Sequence, residues 1–161
     1  MPNYTTTDIT DLREQTAMGL MDVKKALDEA DGDKPKALAL LKERGATIME
    51  KKSGRHASEG IIETYVHGGR IGVMVEVNCE TDFVSRGEDF QEFAHDLALQ
   101  ISSMAPANVE ELLEQSWIKD SKVTISQLLA DVTGKLGERI VISRFSRYTL
   151  GEMAGEKPAE D

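Results

Sequence analysis

The sequence predicts an α+β fold: an N-terminal module of three helices, then a core of about three antiparallel strands covered by helices. Three observations carry this expectation. Apolar residues recur at helical spacing as far as residue 45, the period becomes two between 60 and 79, and the helical period returns from Phe90 to Ile101. The 161 residues, 40% hydrophobic and only 5% aromatic, suffice for one sizeable core and a small accessory domain.

In chain order, Ile9, Leu12 and Arg13 begin a first helix, which Thr16-Ala17-Met18-Gly19-Leu20 interrupts. A second fits 21–30, with Met21, Ala26, Leu27 and Ala30 on its apolar side. Asp31-Gly32-Asp33 then reads as a stop and restart. Gly32 suits the left-handed position after a helix, Asp33 can cap the next one, and Pro35 fits its first turn. Ala37, Leu38, Leu40 and Leu41 form the stripe of a third helix, which Gly45 is expected to end. The basic stretch 50–56 reads as a solvated linker or helix end. The predicted division is a module over 1–46, a linker over 47–58, a core over 59–150 and a disordered tail over 151–161.

Within the core, strands over 60–67 and 70–79 flank Gly68-Gly69, a two-residue hairpin signal. Ile71, Val73, Val75 and Val77 share one face of the second strand; Gly72, Met74, Glu76 and Asn78 share the other. Phe90, Phe93, Ala94, Leu97, Ala98 and Ile101 mark a helix that runs to Pro106. Shorter helices are expected over 109–116 and 122–133, and a last strand over 139–148.

Charge and residue chemistry exclude several functions. Lys and Arg number 19 against 29 Asp and Glu, a net charge of −10 that repels phosphate backbones and argues against nucleic-acid binding. A basic protein surface would be attracted over about 8–10 Å. No apolar run approaches the roughly 20 residues that span a bilayer, and residues 1–11 lack an apolar signal core, so a cytoplasmic protein without membrane attachment is expected. Cys79 stands alone, which excludes an intramolecular disulfide. His56, His67 and His95 are scattered and form no zinc-type spacing with it. Gly68-Gly69 lacks the lysine and hydroxyl of a phosphate loop, and in Gly134-Lys135-Leu136-Gly137 a leucine stands where the hydroxyl is needed. The expectation is a non-enzyme with neither metal nor cofactor.

Thr81-Asp82-Phe83-Val84 is the unusual local sequence, an acid beside an aromatic where a strand turns into a helix. In one reading Phe83 and Val84 close over the core and Asp82 caps the helix. In the other the pair projects as an anchor, one ring for a pocket and one charge for a polar edge. The residues alone favour the first, because core aromatics outnumber exposed anchors.

Val77-Asn78-Cys79-Glu80-Thr81-Asp82-Phe83-Val84 with Glu88-Asp89-Phe90-Gln91 resembles a signature of the elongation factor Ts family. So does Leu12-Arg13-Glu14 to Thr16 with Gly19-Leu20-Met21-Asp22 and Lys24-Lys25-Ala26-Leu27, and so does Lys51-Lys52 with Gly54-Arg55 and Glu59-Gly60. The resemblance keeps order and spacing from about Ile9 to Tyr148. It departs at Ala17, where the family usually has glycine, and at Val23, where it often has cysteine. It implies an N-terminal module similar to a ubiquitin-associated fold, and a guanine-nucleotide exchange factor for elongation factor Tu. Thr81, Asp82, Phe83 and Val84 match the segment that disturbs the partner's Mg²⁺ and phosphate site, so Phe83 is now expected to be exposed. Leu20, Met21 and Lys24 match contacts of the N-terminal module, and Leu136 and Gly137 match a second contact segment. The chain resembles the family's short form, in which two chains pair, and His67 in the hairpin turn is then a contact supplied by the second copy. Two rival readings are an adaptor that uses only the three helices and a cysteine enzyme built on Cys79, Asp82 and a histidine.

Overall fold

The computed structural model describes residues 2–16 and 18–154, without the side chains of 48–52 and 154. The chain forms two compact units, one from residues 1–55 with 127–139 and the other from 56–126 with 140–161. Residues 127–139 group with the N-terminal helices in this division.

The first unit holds α1 (Thr6–Thr16), α2 (Leu20–Glu29) and α3 (Lys34–Lys52). Ile9 and Leu12 of α1, Val23, Ala26 and Leu27 of α2, and Ala37 and Leu41 of α3 meet in one buried cluster with Met18 and Ala30. Local chemistry sets the helix boundaries. Thr5 and Asp8 cap α1 reciprocally: the Thr5 N–H donates to Asp8 Oδ2 at 2.7 Å, and the Asp8 N–H donates to Thr5 Oγ1 at 3.3 Å. Gly32 has φ +83° and its N–H donates to the Leu27 carbonyl, while Asp33 Oδ1 accepts the Lys36 N–H at 3.0 Å.

Two expectations for this unit are corrected. Met21 is 63% exposed rather than on the apolar side, and Val23 takes the buried position. The third helix does not stop at Gly45 but runs to Lys52. Glycine in a helix interior costs only about 1 kcal/mol relative to alanine, too little to end a helix anchored through the buried Ala37 and Leu41. The backbone from 47 to 52, expected as linker, is therefore helical.

Lys34 at the start of α3 clamps α1, with Nζ 2.7 Å from Asp8 Oδ1 and 2.8 Å from Asp11 Oδ2. The Lys34 ammonium, aided by the Thr5 backbone N–H, holds the Asp8 carboxyl at about 2 against an ordinary 3.8. A depressed carboxyl contributes stability that is present above 3.8 and is lost as pH falls through about 2. Asp8→Asn is therefore expected to flatten the acid side of the melting curve between those two values, as read by thermal unfolding at stepped pH.

The second unit is built on a three-stranded antiparallel sheet in the order β1-β2-β5, from β1 (Glu59–His67), β2 (Ile71–Cys79) and β5 (Val141–Thr149). The strand reading holds, with one change at the turn. The connection is Gly68-Gly69-Arg70, because His67 pairs with Ile71. Both glycines have positive φ and the Arg70 N–H donates to the His67 carbonyl, while the Arg70 carbonyl accepts from Leu150. Val73, Val75, Val77 and Cys79 are buried on one face. Against β1 and β2 packs α5 (Glu88–Met104), burying Phe90, Phe93, Ala94, Leu97, Ala98 and Ile101. The α5 helix ends where Ala105 adopts φ +45° before Pro106.

Three further differences concern the second half of the chain. Helix α6 spans Val109–Glu114, and a small hairpin of β3 (Ser116–Trp117) and β4 (Asp120–Thr124) follows it. The expected helix over 122–133 starts later, as α7 (Ile125–Leu136). The buried Gln100 of α5 imposes the hairpin: its amide donates to the Ser116 carbonyl at 3.0 Å, and its Oε1 accepts the Ile118 N–H at 2.9 Å. Tail residues 151–154 form a turn and a short 3-10 segment, Glu152–Ala154. The rest of the predicted tail lies outside the described residues.

Gly60 is the tightest point of the sheet. Its φ is +147°, and an added Cβ would stand 2.0 Å from the Val77 carbonyl oxygen. Gly60→Ala is expected to destabilise the protein by about 3 kcal/mol, the sum of backbone strain and a backbone clash. Chemical denaturation measures this.

Candidate functional site

The strand-to-helix corner after β2 is set by capping. Residues Asp82–Ser85 form α4, and Thr81 is its N-cap, with the hydroxyl accepting from the Val84 N–H at 3.4 Å. The Ser85 hydroxyl donates to the Asp82 carbonyl at 3.0 Å, and the Cys79 thiol donates to the Thr81 carbonyl at 3.1 Å. Cys79 is fully buried and helps fix the corner rather than facing solvent.

This short turn sorts its side chains cleanly. Val84, 9% exposed, and the buried Ser85 fill the positions facing β1 and β2. Asp82 and Phe83 are left outside, with Phe83 85% exposed. Phe83 therefore projects from the corner while Val84 closes over the core, and the cap is Thr81 rather than Asp82. A phenyl ring held in water by a capped and anchored turn is an unusual disposition, since burying such a ring stabilises by about 2–3 kcal/mol. Asp82 lies 3.1 Å from Arg86 one turn on, so its carboxylate is oriented but open to solvent.

The remaining expected contacts are placed as follows. In the first unit Leu20 and Met21 are exposed at the start of α2, and Lys24 is half-buried on the same helix. Leu136 is the last residue of α7, and Gly137 follows with φ +73°, its N–H donating to the Thr133 carbonyl at 2.9 Å. In the second unit His67 is exposed at the end of β1, with Nδ1 3.0 Å from the Tyr65 hydroxyl.

One feature was only partly visible in the residue pattern. The sheet face opposite α5 carries Ile62 and Val66 of β1, Met74 of β2 and Tyr148 of β5, all exposed. Ile62 is 60% exposed and Met74 53%. Between them lies a shallow depression of about 230 Å³, also lined by Glu76 and Arg144, which are paired at 2.9 Å. The alternation of β2 identified this face, but β5 contributes to it only through a bulge near Val77 that sequence spacing does not reveal. Among the described residues no helix is long and apolar enough to cross a membrane.

A family model described as Elongation factor TS matches residues 80–156, a span that contains the Asp82–Phe83 corner. Elongation factor Ts of Desulfitobacterium hafniense is 41% identical over the whole of this chain and 95% of its own length. That of Finegoldia magna is 39% identical, again over the whole chain and 95% of its own length. That of Clostridium kluyveri is 47% identical over 89% of this chain but 47% of its own length. Ordered similarity at this level, over essentially the full length of two relatives, shows that the chain belongs to the elongation factor Ts family of translation elongation factors.

Proposed function

We propose that this protein is a guanine-nucleotide exchange factor that binds elongation factor Tu in the cytoplasm and promotes GDP release, without covalent chemistry. The observation that carries the reading is the exposed Phe83 ring beside Asp82 on a capped corner. Phe83 enters an apolar pocket of the partner, and a well-filled aromatic anchor contributes about 2 kcal/mol or more. Asp82 disturbs the water and side-chain network around the partner's Mg²⁺. Loss of the metal removes charge compensation from the phosphates, so GDP leaves faster. The coupling is reciprocal: GDP weakens the factor's hold on the GTPase as much as the factor weakens GDP's. Leu20, Met21 and Lys24 dock the N-terminal helices on the partner, and Leu136 and Gly137 form a further contact.

The exposed sheet face supports a homodimer. Ile62, Val66, Met74 and Tyr148 would be covered by the same face of a second copy about a two-fold axis. One chain then offers Asp82 and Phe83 while the other offers His67. The test of the function is direct. Elongation factor Tu loaded with fluorescent GDP is mixed with this protein and excess unlabelled GDP. The expected result is accelerated loss of fluorescence that disappears with Asp82→Ala plus Phe83→Ala. No acceleration by the folded wild-type protein overturns the proposal.

A further inference from the structure

Three rings form a chain along the β1 edge. His95 of α5 meets Tyr65 edge-on, with centroids 6.1 Å apart and planes at 90°. The Tyr65 hydroxyl lies 3.0 Å from His67 Nδ1. Tyr65 and His67 are two residues apart on one strand and so share the face on which α5 packs. Tyr65 is half-buried, whereas His67 is exposed and adjoins Gly68-Gly69. An exposed side chain beside a diglycine turn ordinarily samples several rotamers, and its ordering cost falls on binding. Here a ring held against a helix reaches out and fixes it.

We propose that Tyr65 is a positioning residue for His67. Its phenol donates to Nδ1, which holds the imidazole in one orientation and places the ring proton on Nε2 as the free donor. The partner chemistry that fits is an acceptor oxygen on elongation factor Tu. This rests on the reading above in which His67 contacts the partner. Tyr65→Phe removes only the hydroxyl and keeps the ring against His95, so the variant folds with an unchanged melting temperature.

Two measurements test the assignment. NMR of the isolated protein gives the His67 side-chain couplings and ring nitrogen shifts. The expected result is one rotamer with the proton on Nε2, becoming rotamer-averaged in Tyr65→Phe. A proton on Nδ1, or the same averaging in both proteins, overturns the positioning role. In the GDP-release assay at sub-saturating factor, Tyr65→Phe is expected to slow exchange about three- to tenfold, the scale of one hydrogen bond. His67→Ala should slow it at least as much, and the double variant should be no slower than His67→Ala. An unchanged rate for His67→Ala removes the His67 contact and this inference with it. A slow His67→Ala beside a wild-type rate for Tyr65→Phe, or additive losses in the double variant, overturns Tyr65 alone and leaves the contact standing.

Discussion

Replacing Phe83 with alanine is expected to leave the melting temperature unchanged while slowing exchange about thirtyfold. The two halves of this expectation have separate causes. At 85% exposure the ring makes little contact within its own chain, so truncation falls in the range of surface substitutions, about ±0.5 kcal/mol. In the proposed complex the same ring would be buried in the partner, and losing a central aromatic anchor costs about 2 kcal/mol, equivalent to roughly thirtyfold. Stopped-flow GDP release and thermal unfolding on the same preparation check both halves. Equal losses of stability and exchange would mean that Phe83 contributes to the fold rather than to the partner. Val84→Ala makes the complementary control: at 9% exposure it should lower stability first and exchange only as the corner loosens.

Ile62→Lys is expected to convert the proposed dimer to a monomer. In the isolated chain the change is tolerable, because Ile62 is exposed and lies across from Glu76, an acidic cross-strand partner for the new charge. In a two-fold interface the substitution occurs twice and puts an ammonium group into an apolar contact from each side. A rise of about a hundredfold or more in the dimer dissociation constant follows from a desolvation cost of several kcal/mol. Light scattering reads the mass, and the GDP-release assay reads the consequence. Exchange should fall with the dimer, because His67 would no longer come from the second copy. A wild-type protein that is strictly monomeric, or a monomeric Ile62→Lys with undiminished exchange, contradicts the two-chain site.

The difference between these two surfaces shows how far residue patterns reach. The outward set of β2, Gly72, Met74, Glu76 and Asn78, follows from strand alternation, so one apolar element of the open face was legible. Its assembly with Ile62, Val66 and Tyr148 depends on the β1-β2-β5 order and the bulge near Val77, neither of which is a local property. Likewise the hairpin β3–β4, residues 116–124, carries no clear apolar alternation. It exists because Gln100, sixteen or more residues earlier, satisfies its backbone groups.

By itself the sequence determined the α+β class, the helical module, the two long strands, the α5 helix and the family, because period and motif spacing are written in consecutive residues. The tertiary structure decided what those rules leave degenerate. It carried α3 through Gly45, since a cost of about 1 kcal/mol for one glycine is small beside the burial of Ala37 and Leu41 that anchors the helix. It turned Met21 outward because Val23, Ala26 and Leu27 already occupy the buried positions of α2. It exposed Phe83 for the same reason: Val84 and Ser85 fill the space beneath α4, and a four-residue turn cannot point every side chain inward.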